Sequence, residues 1–155
     1  MELASLLTED QIIPTMRAQD HWQAIEELVN HLDGQQLLNG ASKERILSAL
    51  QQREDQNSTG IGSGVAIPHA FAKDLDQVLA VFGRSPHGIE FESIDNLPVK
   101  FVVLFLVPED EYHVHLRTLA AIAKMFTNGR IRQQLGEAEG AGEILQILRT
   151  KPARV

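Results

Sequence analysis

The stretch from Val99 to Val107 constrains the fold more than any other, because after Lys100 it is apolar at every position: Phe101, Val102, Val103, Leu104, Phe105, Leu106 and Val107. A strand with one wet face alternates polar and apolar residues. An unbroken run of β-branched and large apolar side chains belongs instead in the middle of a sheet covered on both faces. The run is far too short to span a bilayer. The chain must therefore supply helices for both sides of this strand.

Helical patterns stand before and after it. Asp20 is placed to cap a helix from His21 to about Leu32, with Trp22, Ile25, Val29 and Leu32 at helical spacing and Gly34 at its end. Ser42 caps a second helix to about Arg53, with Ile46 and Leu50 inward and Arg53, three residues on, pointing the same way. A long helix is expected from about Tyr112 to Phe126, with an inner stripe of Leu116, Leu119, Ala120, Ala123 and Phe126, widened by Ile122 and Met125. Two short helices follow, at Gly129 to Leu135 and Gly142 to Leu148. Leu3 to Leu7 reads as a packed segment, Ile12-Ile13 as a first strand and Val78 to Phe82 as a further one, with turns at Pro86-His87-Gly88 and Asp95-Asn96. Helices, then strands, then helices give an α+β fold, a three-layer α/β/α sandwich around a central mixed sheet. The 155 residues suffice for one domain over 1–150, with 151–155 a loose tail.

The chemistry concentrates in residues 58–69, Ser-Thr-Gly-Ile-Gly-Ser-Gly-Val-Ala-Ile-Pro-His. Alternating Gly60, Gly62 and Gly64 permit tight backbone turns that can aim amide N–H groups at an anion. Val65 to Ile67 read as a brief buried strand, which Pro68 stops before presenting His69. Histidine is a competent nucleophile near neutral pH, and its N–P bond is labile enough to pass a phosphoryl group on. An isolated histidine here would more simply cap the strand by bonding a backbone carbonyl. The glycines are not a dinucleotide fingerprint, because the third comes one residue early and no helix follows, and no P-loop lysine is present.

With Arg53 to His69, two further stretches, Ser85 to Val107 and Pro108 to Phe126 with its His115-Leu116 pair, make the chain resemble the enzyme IIA domains of the bacterial phosphoenolpyruvate-dependent phosphotransferase system, in the fructose/mannitol and nitrogen-regulatory branch. The resemblance implies that His69 accepts a phosphoryl group from the phosphocarrier HPr or its nitrogen-branch relative, that His115 sits beside it, and that Arg53 lies near the active histidine. Charge spread over the phosphoryl oxygens makes such transfer a matter of positioning and electrostatic stabilisation. Ser58 and Thr59 can donate hydroxyl hydrogen bonds to the group, or equally cap the turn. His113 cannot share a helical face with His115 and reads as incidental. A metal site built from His113, His115 and His69 lacks a carboxylate or cysteine at ligand spacing. The family commonly follows the histidine with glycine and lysine, whereas this chain has Ala70-Phe71-Ala72-Lys73, which adds an apolar ring near the site.

Two roles fit the resemblance. One passes the phosphoryl group to a IIB domain of a sugar transporter. The other is a nitrogen-regulatory protein whose phosphorylation state selects regulated partners, a type that Ser85 to Asp95 and the length of the chain favour. A relative that kept the fold and lost the chemistry is opposed by His69, His115 and Arg53 together. Net charge is −7 and the pI about 5.3, with the nearest basic cluster, Arg149, Lys151 and Arg154, in the tail, which argues against a nucleic-acid surface. With no cysteine there is no disulfide or thiolate metal site. Met1-Glu2-Leu3 begins no signal peptide, so the cytoplasm is the expected address. No cofactor is implied.

Overall fold

Strand β6 (Val99–Pro108) runs through the sheet, and its alternation divides the protein into two cores. The structure, a computed structural model, describes residues 3–38, 40–56, 59–93 and 95–149, with Tyr112 described in its backbone only. The expected tail at 151–155, Lys151 and Arg154 of the basic cluster, Met1-Glu2 and the candidate Ser58 lie outside the described residues. Val102, Leu104 and Leu106 face one core, together with Ala24, Ile25, Leu28, Val29 and Leu32 of α1 (His21–Gly34) and Ile46 and Leu50 of α2 (Lys43–Gln56). Phe101, Val103, Phe105 and Val107 face the other, against α3 (Tyr112–Met125), α4 (Gly129–Glu137) and α5 (Ala141–Arg149). All these β6 side chains are buried, as a strand apolar at every position requires. The result is the α/β/α sandwich expected, with a mixed sheet.

Among the described residues the sheet has six strands: β1 (Ile12–Ile13), β2 (Gly60–Gly62), β3 (Val65–Ala66), β4 (His69–Ala72), β5 (Leu79–Ile89) and β6. Their order is β1-β5-β6-β3-β2, with β4 also paired to β6. β5 and β6 are antiparallel, while β1 is parallel to β5 and both β3 and β4 are parallel to β6. β3 and β4 thus form one interrupted strand. Pro68 cannot donate to the ladder, but its carbonyl accepts from the Phe105 amide at 2.9 Å, so pairing resumes at once at His69. Pro68 is therefore a seam in the ladder and not the end expected of it.

Two other expectations are corrected. Pro86-His87-Gly88 is not a turn that ends a strand but a bulge within β5, whose register shifts between Arg84, opposite Phe101, and Ile89, opposite Val99. A bulge is where a strand tolerates proline and a left-handed glycine, here Gly88 at φ 88°. In α3 the inner stripe is displaced by about one position: His115, Thr118, Ile122 and Phe126 are buried, whereas Leu116 and Ala120 are exposed. The apolar pattern gave the wrong phase because two of the buried positions hold polar side chains.

The remaining helices form as their ends prescribe. The Asp20 side chain accepts from the Gln23 amide at 2.9 Å to start α1, and the Ser42 hydroxyl accepts from the Arg45 amide at 3.3 Å to start α2. Asn128 accepts from the Arg130 and Ile131 amides at the start of α4. No helix among the described residues is long and apolar enough to cross a membrane.

Candidate functional site

His69 is the first residue after the Pro68 seam. Strand alternation puts Ala70 and Ala72 into the core under α1 and α2, so His69 and Phe71 point to the opposite face, where Phe71 packs against the second core. The imidazole is half-buried, with the Phe71 ring edge-on at 6.3 Å. Its Nδ1 lies 2.9 Å from the Ile67 carbonyl oxygen. A carbonyl can only accept, so Nδ1 carries the proton and the lone pair is on Nε2. Burial lowers the pKa of this histidine below its ordinary value, and the nearby Arg53 charge lowers it further, against the opposing effects of the Ile67 bond and Glu54. A ring kept neutral with its Nε2 lone pair available is chemically a nucleophile at neutral pH.

His115, on the first turn of α3, is buried, with its ring edge-on to Phe105 at 5.9 Å. Phe105 is also the register partner of His69 across β4 and β6. The fold therefore gathers the two histidines around one phenylalanine on one face of the sheet. His115 Nε2 is 3.5 Å from Glu111 Oε1, one helical turn earlier, while Nδ1 is buried with no hydrogen-bond partner among the described residues. His113 is exposed, as its place two residues away on the helix requires.

Arg53 lies half-buried in the last turn of α2, close enough for its charge to act on His69. The residue that turns fully inward is its neighbour Glu54, 7% exposed, the second member of the Arg-Glu pair before the Gly-rich loop. The signal was present: Ile46, Leu50 and Glu54 stand at four-residue intervals on one helical stripe. The Thr59 hydroxyl, expected either at a phosphoryl group or capping the turn, donates to Glu54 Oε1, and the Thr59 amide donates to both carboxylate oxygens at 3.2 and 3.3 Å.

The glycines divide. Gly60 pairs with Ala66, and a Cβ there would collide with Ser93, so close approach requires glycine. Gly62, Ser63 and Gly64, all at positive φ, make the reversal between β2 and β3, with the Ser63 amide held by Asp95 at 2.9 Å. The Gly64 carbonyl accepts from Lys100, five residues before the Phe105 that faces His69, which puts this turn roughly 16 Å along the strand from the imidazole. The structure thus brings together His69, His115, Arg53 and Thr59, and leaves Gly62 and Gly64 apart. No group of three or more His, Asp or Glu able to hold a metal ion occurs among the described residues.

Comparison with known proteins gives this arrangement its context. Residues 5–151 match the family described as "Phosphoenolpyruvate-dependent sugar phosphotransferase system, EIIA 2". The chain is 33% identical over 153 residues to a nitrogen regulatory protein of Bradyrhizobium diazoefficiens, covering 99% of this chain and 98% of that one. It is 36% identical over 150 residues to the fructose-specific EIIABC component of Bacillus subtilis, covering 96% of this chain but 23% of that longer protein. The crystal structure of nitrogen regulatory protein IIA-Ntr from Neisseria meningitidis superposes with a TM-score of 0.86 at 29% identity, covering 94% of this chain and 98% of that one.

Proposed function

This chain belongs to the EIIA 2 family of the phosphoenolpyruvate-dependent sugar phosphotransferase system, and from that premise we propose that it is a phosphocarrier that accepts a phosphoryl group on His69 Nε2 from an HPr-type donor. The observation that carries this reading is the His69 Nδ1–H bond to the Ile67 carbonyl, which leaves Nε2 as the unprotonated ring atom. In the transfer, the Nε2 lone pair forms a bond to phosphorus while the donor's N–P bond breaks and its electron pair returns to the donor's ring. The same exchange in the other direction passes the group to an acceptor.

The transferring group carries its charge on three oxygens, so the protein's task is to position and stabilise it. His115, edge-on to the Phe105 that pairs with His69, is assigned to donate a hydrogen bond to those oxygens from a ring N–H. Arg53 supplies compensating positive charge. Thr59 and Gly60 shape the backbone beside the site, while Gly62 and Gly64 form the hairpin turn.

Within the family, we assign the chain to the nitrogen-regulatory type, acting in the cytoplasm on partners selected by phosphorylation state. The similarity to a nitrogen regulatory protein along nearly its whole length supports this. The 36% identity to a fructose-specific component favours the second reading, a sugar-branch IIA that hands its phosphoryl group to a IIB domain. The test is a reconstituted transfer with phosphoenolpyruvate, enzyme I and an HPr-type donor of either branch, read by intact mass. One acid-labile phosphoryl group on the wild type, absent from His69→Ala, is the expected result. Labelling that persists in His69→Ala, or no labelling from either donor, overturns the reading.

A further inference from the structure

Glu54 occupies a position where the stripe of α2 calls for an apolar residue, four after Leu50 and eight after Ile46. Carboxylates are seldom so buried unless something holds them. Here Thr59 does, with its amide shared between the two carboxylate oxygens and its hydroxyl on Oε1. The series does not stop there. The Thr59 carbonyl accepts from the Ile67 amide at 3.1 Å, and the Ile67 carbonyl accepts from His69 Nδ1 at 2.9 Å. Hydrogen bonds thus connect the last turn of α2, through two backbone segments, to the imidazole itself.

Packing alone would not need this series, since a leucine at position 54 would fill the core without constraining Thr59. The series instead anchors Ile67 at its amide, and the carbonyl of the same residue accepts from the ring nitrogen that carries the proton. Glu54 also lies near enough for its charge to act on His69, in the opposite sense to Arg53. We propose that Glu54 is a positioning residue for phosphoryl transfer, acting through Thr59 and Ile67 to hold His69 as the Nδ1–H tautomer with Nε2 presented for reaction. This rests on the reading of His69 as the phosphoryl acceptor.

Two measurements on the full chain test it. Nitrogen NMR of labelled histidine reads the His69 tautomer without any phosphoryl chemistry, and intact mass reads its phosphorylation by phosphoramidate, a small donor that needs no docking surface. Glu54→Gln keeps an acceptor oxygen for Thr59, so the Nδ1–H tautomer persists and the rate stays close to wild type. Its His69 pKa falls, because the carboxylate charge that opposed burial and Arg53 is gone. Glu54→Ala removes the acceptor, so the tautomer becomes mixed and phosphorylation slows by about tenfold to a hundredfold. A folded Glu54→Ala with the wild-type tautomer and rate overturns the proposal. Should Glu54→Ala not fold, Glu54→Asp decides: its shorter reach gives a mixed tautomer if the proposal holds, and an undisturbed one overturns it. Wild-type protein that takes up no phosphoryl group while its tautomer responds to Glu54 removes the acceptor reading instead, leaving tautomer control as a property of the ring alone.

Discussion

His115 has a buried imidazole nitrogen, Nδ1, with no partner among the described residues. An unsatisfied buried polar atom is costly, and native structures keep few of them. On the function proposed here His115 hydrogen-bonds the phosphoryl oxygens, and this atom gains a partner only if the ring or its cover shifts in the reacting complex. Replacing His115 by alanine then slows phosphoryl transfer to His69 by about a hundredfold without abolishing acceptance. Quench-flow timing of the mass change checks this, and an unchanged rate takes His115 out of the mechanism. At this scale the residues of the candidate site were legible in part. His69 stands at the end of a Gly-rich run, and Arg53 and His115 match a family pattern. Of the Arg53-Glu54 pair only Arg53 carries an expected role, and Thr59 is expected at a phosphoryl group or capping a turn rather than on a carboxylate. What decides both is which of two adjacent residues turns inward at the end of α2. That depends on what lies above the helix.

Elements were legible where apolar spacing marked them. Helices α1 and α2 and strand β6 follow from their patterns, whereas α3 was found in place but rotated, since His115 and Thr118 face inward among apolar neighbours. Strand β4 had no signal, because four residues after a proline cannot show alternation strongly enough to announce a strand. Long-range ties between elements were invisible altogether. Arg84 on β5 is buried, its Nε donating to the Pro14 carbonyl at 2.9 Å and its Nη1 to the carbonyls of Leu135, at 2.9 Å, and Ala138. It caps the end of α4 and ties that helix to the segment after β1, joining residues more than fifty apart in sequence with no carboxylate involved. Arg84→Met fills most of the volume but leaves two buried carbonyls and a part-buried one without this donor, so it lowers stability by about 3 kcal/mol. Urea unfolding measures the loss, and a change below about 1 kcal/mol would show that the carbonyls find other partners.

For the molecule as a whole, the sheet separates two cores, and the candidate site sits where the sheet's edge, the end of α2 and the start of α3 converge. Its titration therefore belongs to global stability. Burial first, then Arg53, lowers the His69 pKa in the folded state below the ordinary 6.5. The unfolded chain consequently binds a proton at this residue more readily, and stability falls as pH drops from 6.5 through the folded value. Urea midpoints at about pH 7.5 and about pH 5.5 should differ more for wild type than for His69→Gln, which lacks the linked proton. Equal differences would mean that His69 contributes nothing to the acid sensitivity. The seam at Pro68 has a consequence of another kind. A nucleophile on a free loop must be ordered at each encounter, but the backbone carrying His69 is ordered once, when β4 pairs with β6. Readiness to react and attachment of an edge strand are then one equilibrium. On the function proposed here, conditions that fray β4 silence the histidine, so the opening of this edge, and not the melting point alone, bounds the working range of the protein.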